Sequence, residues 1–259
     1  MMKVKIKMFN KHEQDRLKMK ITNGLNQINL PDDPKVIDRL YEYLVLLFEE
    51  NQKYNLIGPA EPDEIITKHF YDSMAPLKNL ELLKHKNGLD LGTGAGLPGV
   101  VWKLIYPEMI FYFLDSRKKR INFLKMIKNK IKVDEFYPIK ERAEKLGQQQ
   151  DWREQFSFVS ARAVASMDVL IEYVLPLIEI GGYAYLFKGP DYKEEISNIN
   201  EIITYLGGGE IQIINVKVPA IDRERYLIKI KKIKKTPEKY PRRVGKPKKY
   251  PLKKEDISI

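Results

Sequence analysis

The chain has 259 residues, 43% of them hydrophobic and 31% charged, enough apolar material for a sizeable core and too much for global disorder. It has no cysteine and only three histidines, His12, His69 and His85, so disulfides, thiolate metal sites, cysteine nucleophiles and a histidine-rich metal centre are not expected. The net charge is +11, and residues 229–259 alone hold 13 Lys/Arg against 3 Asp/Glu; a basic tail on a near-neutral body points to a polyanionic partner, nucleic acid first.

No apolar run approaches the roughly 18 residues of a membrane-spanning helix. Residues 1–20 are basic but lack the apolar stretch of a secretion signal. A cytoplasmic protein with no membrane partner and no bound metal is therefore expected, acting as a monomer.

A first helix is expected around residues 13–25. Pro31-Asp32-Asp33-Pro34 is a helix-start signal, and Val36, Ile37, Leu40, Leu44, Leu47 and Phe48 then form a helical stripe over 36–50. After the Gly58-Pro59 break, residues 61–80 read as one more helix, with Ile65, Ile66, Phe70, Met74 and Leu77 inward. Residues 1–85 are thus expected to form a helical cap.

From there strands and helices alternate. Strands are expected at 88–91, 110–114, 136–139, 156–160 and 182–187, with helices at 97–105, 118–131, 167–178 and 192–206 and a short one after the third strand. Such alternation predicts an α/β fold, a parallel sheet with helices on both faces. It stops at Gly207-Gly208-Gly209; residues 211–218 and 225–233 follow as strands too close for a parallel crossover, so they should be antiparallel. The sheet domain would span 86–233. Beyond it, Pro237, Pro241, Pro247 and Pro251 argue against regular structure in the tail, 234–259.

The functional signal is the stretch Gly88-Leu89-Asp90-Leu91-Gly92-Thr93-Gly94-Ala95-Gly96-Leu97-Pro98-Gly99. A buried strand runs into a glycine loop and a helix start, where a doubly wound sheet holds nucleotide-like ligands. Two ligands compete. Gly94-Ala95-Gly96-Leu97-Pro98-Gly99 satisfies the G-x-G-x-x-G dinucleotide pattern, with Asp115 near the position of a ribose-binding acid, as in a nicotinamide enzyme. Alternatively, Asp90-x-Gly92-x-Gly94-x-Gly96 is similar to the loop of class I methyltransferases. There the glycines carry the amino-acid tail of S-adenosylmethionine, Asp90 would help receive its ammonium, and Asp115 would accept from both ribose hydroxyls. The antiparallel terminal hairpin and the basic tail favour the second.

Six spaced motifs then occur in order: Tyr54-Asn55-Leu56, Lys68-His69-Phe70-Tyr71-Asp72-Ser73, the glycine loop, Leu114-Asp115-Ser116 with Lys119-Arg120, Ser160-Ala161-Arg162-Ala163 and Phe187-Lys188-Gly189. Together they closely resemble the ribosomal RNA small subunit methyltransferase G family, also called glucose-inhibited division protein B. Tyr240-Pro241-Arg242-Arg243-x-Gly245-x-Pro247 resembles the tail of its longer members. Ser160-Ala161-Arg162 and Arg117-Lys118 depart slightly from the family's usual residues.

The resemblance implies a class I fold with a seven-stranded, mostly parallel sheet and an antiparallel last strand. It implies transfer of a methyl group from S-adenosylmethionine to N7 of one guanine in bacterial 16S rRNA, free or in the small ribosomal subunit. Cofactor contacts carry over to Gly92, Leu97, Ala143, Glu144 and Arg162. The alternatives are an NAD-dependent oxidoreductase and a non-catalytic RNA-binding or ribosome-assembly protein.

Guanine N7 carries a free lone pair, so no general base is expected. Arg162, at the ligand edge after the fourth strand, is a candidate for the cofactor, for guanine O6 or for a phosphate. Lys119 and Arg120 start a helix against the dipole preference, which hints at RNA phosphate; Lys188 sits on the same edge. His69 and Asp72 share a helix face and, with Asn55, suggest a polar cluster near the cofactor.

Overall fold

The structure, a computed structural model, describes residues 9–80, 86–197 and 199–257; His85 lies outside them. Helix α1 (Lys11–Ile28) starts on an Asn10 side chain that accepts the Glu13 N–H, and α2 (Pro34–Tyr54) on Asp33, which accepts the Lys35 N–H. The third expected helix is a composite: an α turn α3 (Pro62–Glu64), a π-helical stretch Ile65–Tyr71, an α turn α4 (Asp72–Met74) and a 3₁₀ turn Ala75–Asn79. Its expected inward residues are all buried.

Seven strands follow: β1 (Asn87–Leu91), β2 (Ile110–Asp115), β3 (Phe136–Lys140), β4 (Phe156–Arg162), β5 (Ile178–Lys188), β6 (Gly208–Val216) and β7 (Arg225–Lys232). Their order is β3-β2-β1-β4-β5-β7-β6. Strands β1 to β5 pair in parallel, and β7 enters antiparallel between β5 and β6. This is the seven-stranded, mostly parallel sheet with an antiparallel last strand that is expected from the sequence.

The connecting helices are α5 (Gly99–Ile105), α6 (Lys118–Ile131), α7 (Ala143–Gln148), α8 (Met167–Val174), α9 (Tyr192–Ile196) and α10 (Asn200–Tyr205). Three differ from expectation. Helix α5 begins at Gly99, after the cis Leu97-Pro98 peptide. Helix α8 stops at Val174 and a 3₁₀ turn covers Leu175–Leu177, because Pro176 has no N–H to continue the ladder; Ile178 already belongs to β5. The expected helix over 192–206 is two short ones.

Side chains alternate along each strand and divide the interior. Phe111, Phe113 and Phe158 face one core, shared with the N-terminal helices, α5 and α6. Leu89, Leu91, Leu114, Val159 and Ala161 face the other, shared with α8 and α10. The cap is pinned where it matters: the buried Tyr43 hydroxyl donates to the Ala95 carbonyl in the glycine loop at 2.9 Å, and Trp102 Nε1 donates to the Ser73 carbonyl at 2.6 Å.

The tail departs most from its expectation. A helical turn α11 (Lys246–Lys249) has its proline in the first turn, where a missing N–H costs nothing, and a 3₁₀ turn spans Lys254–Ile257. Tyr240, Leu252 and Ile257 are buried in the second core.

Candidate functional site

The carboxyl ends of β1, β2 and β4 open onto a cleft of about 890 Å³ lined by Gly92, Asp115, Arg120, Ala143, Glu144, Ala163, Val164, Ala165 and Tyr173, among others. The three loop glycines serve different ends. Gly92 has φ +69°, and a Cβ there would sit 2.6 Å from Val164 Cγ2 in the cleft wall. Gly94 has φ +61°, and a Cβ there would come no closer than ordinary contact, with Arg120 Cζ at 3.8 Å; its N–H donates to Asp115 Oδ2 at 3.2 Å. Gly96 is required by packing, since a Cβ would meet Val100 Cγ2 at 2.4 Å. Leu97 turns its side chain into the first core.

Asp90 is where the sequence expectation fails. It is 0% exposed and lies beneath the loop. Its Oδ2 accepts from the Thr93 hydroxyl at 2.6 Å and the Gly99 N–H at 3.1 Å, and its Oδ1 from the Ser160 hydroxyl at 3.0 Å. Burial pushes its carboxyl up to about 6. The side chain joins the loop to the first turn of α5 and has no surface left for a ligand ammonium.

Asp115 lines the cleft. It accepts from the Arg117 N–H at 2.8 Å and from Arg120 Nη1 at 2.9 Å, besides Gly94. Glu144, in the first turn of α7, accepts the Gly245 N–H at 2.9 Å, and Tyr173 lines the cleft with it.

On the far side of Ala163, Val164 and Ala165 lies a second recess of about 500 Å³, carrying Lys68, His69, Asp72, Arg162, Arg223 and Arg225. At its base Arg162 Nη1 donates to Asp72 Oδ2 at 2.8 Å and Arg225 Nε to Asp72 Oδ1 at 2.9 Å. One buried carboxylate therefore holds two guanidiniums, and the recess keeps a positive excess. Burial first, then the Arg162 charge, pushes His69 down to about 4, so it is neutral at pH 7.

That shift predicts a pH effect. With an ordinary imidazole value of 6.5 when unfolded, the unfolded chain binds more protons than the folded one between pH 4 and 6.5. His69 therefore contributes stability that is present above pH 6.5 and lost as pH falls through about 4, on the order of 3 kcal/mol in total. Asp90 acts oppositely, disfavouring the fold as pH rises from 3.8 through about 6. Urea unfolding of His69→Gln and the unaltered protein across this range separates the two. The variant should lose less stability on acidification, and parallel curves would show that His69 does not titrate so low.

The expected RNA-contacting residues divide. Lys119 is exposed, with its ammonium 5.3 Å from the Tyr54 ring centre. Arg120 is paired with Asp115. Lys188 has a side chain only 8% exposed and donates to Glu195 at 2.6 Å and to the Ala165 carbonyl at 3.1 Å, bracing the wall between the recesses. It does not stand free at the edge, because Glu195 compensates its charge. Asn55 is the left-handed C-cap of α2, exposed, and is not among the residues lining either recess.

Sequence reasoning passes over Arg223 and Arg225. One signal was available: an antiparallel strand starts at the edge where its parallel neighbours end, so cations opening β7 fall at the ligand edge. Tyr173 and Lys248 carried no comparable signal, and Gly245 stood only within the tail motif.

Residues 36–225 match the family model described as rRNA small subunit methyltransferase G. The ribosomal RNA small subunit methyltransferase G of Alkaliphilus metalliredigens is 39% identical over 91% of this chain and 99% of its own. That of Desulforamulus reducens is 42% identical, covering 82% and 88%, and that of Acetivibrio thermocellus 38%, covering 92% and 97%. With likeness of this extent on both sides, the chain belongs to the rRNA small subunit methyltransferase G family.

Proposed function

We propose that this chain transfers a methyl group from S-adenosylmethionine to N7 of a guanine in 16S rRNA. The observation that carries this is the pair of recesses on either side of Ala163, Val164 and Ala165, one lined by Gly92 and the carboxylates Asp115 and Glu144, the other basic. The first suits the methyl donor. Its size is within the usual range for small-molecule sites. Gly92 lines the cleft at a point where a Cβ would strike Val164 in its wall, and Asp115 and Glu144 are acceptors for ribose hydroxyls and for an adenine amino group. Gly92, Gly94, Gly96 and Leu97 shape that end of the site, Ala143 and Glu144 the other, and Asp90 acts through the loop it ties down.

When bound, the cofactor supplies an electrophilic methyl on a sulfonium. The chain has to present guanine N7 to it in line, and because N7 already bears a lone pair, positioning does most of the work. Arg162, fixed by Asp72, has further N–H donors suited to guanine O6, which orients the base edge and leaves N7 free. Neutral His69 adds no charge against the cationic product. Arg223, Lys68, Lys119 and the exposed tail residues Arg243, Lys246, Lys248 and Lys249 suit the surrounding phosphates. The protein acts as a cytoplasmic monomer on small-subunit rRNA, with residues 1–85, 86–233 and 234–259 serving as cap, catalytic domain and tail.

S-adenosylhomocysteine should raise Tm and NAD(H) should leave it unchanged. Labelled methyl should enter 16S rRNA from cells lacking the protein, at guanine N7. A shift with NAD(H) alone would favour a nicotinamide enzyme, and cofactor binding without transfer to rRNA or ribosomal particles would leave an assembly factor.

A further inference from the structure

The tail is held against α7 and α8 by contacts that a loose polycation would not make. Arg153 donates to the carbonyls of Thr236, Pro237 and Tyr240, and Gln148 Nε2 to that of Pro241. Arg242 sets both its backbone N–H, at 2.7 Å, and its guanidinium on Glu172, which is 0% exposed. The same guanidinium reaches forward to the Tyr250 carbonyl at 2.8 Å, closing residues 242–250 into a loop. At the head of that loop Gly245, with φ +81°, gives its N–H to Glu144 Oε1. Lys248 and Pro251 complete the lining of the carboxylate-bearing cleft.

We propose that the C-terminal tail is a strap that forms one wall of the cofactor cleft and, through the Gly245 N–H, fixes the Glu144 carboxylate for the adenosine end of S-adenosylmethionine. This rests on the assignment of that cleft to the methyl donor. A carboxylate that accepts a backbone N–H from the strap is set in one orientation before any ligand arrives, and preorganisation of this kind raises affinity. The strap has two faces. Pro241, Pro247, Leu252 and Ile257 are buried against the domain, while Arg243, Lys246, Lys248 and Lys249 are exposed, Lys248 in the lining of the cleft. Cofactor affinity therefore depends on the same segment whose charges suit RNA.

Gly245 is the point to test, because a Cβ there meets nothing within 4 Å and a substitution acts through its backbone conformation alone. In the full-length protein, Gly245→Val should weaken S-adenosylhomocysteine binding in calorimetry by at least about tenfold, since a β-branched residue does not hold a left-handed conformation. Gly245→Asn, which tolerates it, should bind within about threefold of the unaltered protein. In the unaltered protein, hydrogen exchange over residues 244–251 should slow on adding S-adenosylhomocysteine. Equal affinity of the valine variant, equal weakening in the asparagine variant, or exchange indifferent to the ligand would each overturn the strap. If the unaltered protein does not bind S-adenosylhomocysteine at all, the cleft assignment itself fails, a separate result.

Discussion

Gly92→Val is expected to abolish measurable binding of S-adenosylhomocysteine while the protein still folds. The position carries two constraints at once. Its φ of +69° excludes a β-branched residue without a change of backbone path, and its Cβ would lie 2.6 Å from Val164 Cγ2. Val164 belongs to the wall that lines both recesses, so relief of the clash moves the wall or the loop, and either reshapes the cleft. A loss beyond about 100-fold, roughly 2.7 kcal/mol, is the expected scale. The neighbouring glycines provide the contrast. Gly94→Ala adds a methyl that meets Arg120 and the Gly92 carbonyl only at ordinary contact distance, so its cost is the left-handed strain of about 1–2 kcal/mol, which falls on free and bound states alike and leaves affinity nearly unchanged. Gly96→Ala drives a methyl against Val100 and Leu124 in the core and should lower Tm more than it changes Kd. Calorimetric titration of the three variants, with Tm measured alongside, gives the order. Wild-type affinity in Gly92→Val would mean that the ligand lies elsewhere.

The contrast among those glycines shows what a sequence does and does not display. The alternation of strands and helices, the antiparallel terminal pair and the glycine loop after β1 follow from local periodicity and turn chemistry, whereas the order that inserts β7 between β5 and β6 is a matter of long-range pairing. The direction in which a given loop residue faces is decided by packing. Asp90 reads as a ligand acid because it ends a strand beside glycines, yet register places it between Phe113 and Ser160, under the loop. The tail reads as solvated because charge dominates its composition. Its buried residues, Thr236, Tyr240, Pro241, Pro247, Leu252 and Ile257, follow neither a 3.6 nor a 2 residue period, so amphipathic patterning does not reveal them. Arg225 pairs with a carboxylate 153 positions away, a distance over which one sequence carries no pairing information.

That pairing yields the second large effect. Asp72→Ala is expected to lower Tm by on the order of 10 °C and to cut methyl transfer to 16S rRNA by at least about 100-fold. Removing one partner of a buried ion pair costs about 3–5 kcal/mol, because the other charge stays buried without compensation, and each kcal/mol is worth about 2–4 °C in a chain of this size. Here two charges are stranded, Arg162 at 16% and Arg225 at 28% side-chain exposure, held side by side at the ends of β4 and β7. Their repulsion displaces Arg162 from the place where it would meet the guanine edge. The same loss of Asp72 removes the one charge that opposes His69's low value most directly, so the imidazole stays neutral. Because Asp72 lines the basic recess and not the carboxylate-bearing cleft, affinity for S-adenosylhomocysteine should fall much less than turnover. Adding Arg225→Met to the Asp72→Ala chain removes one stranded cation and should regain part of the lost Tm, whereas Arg225→Met alone should lower it. That reversal of sign is the mark of a charge triad. If the two substitutions instead add, the carboxylate does not hold the arginines together and the basic recess has another organiser.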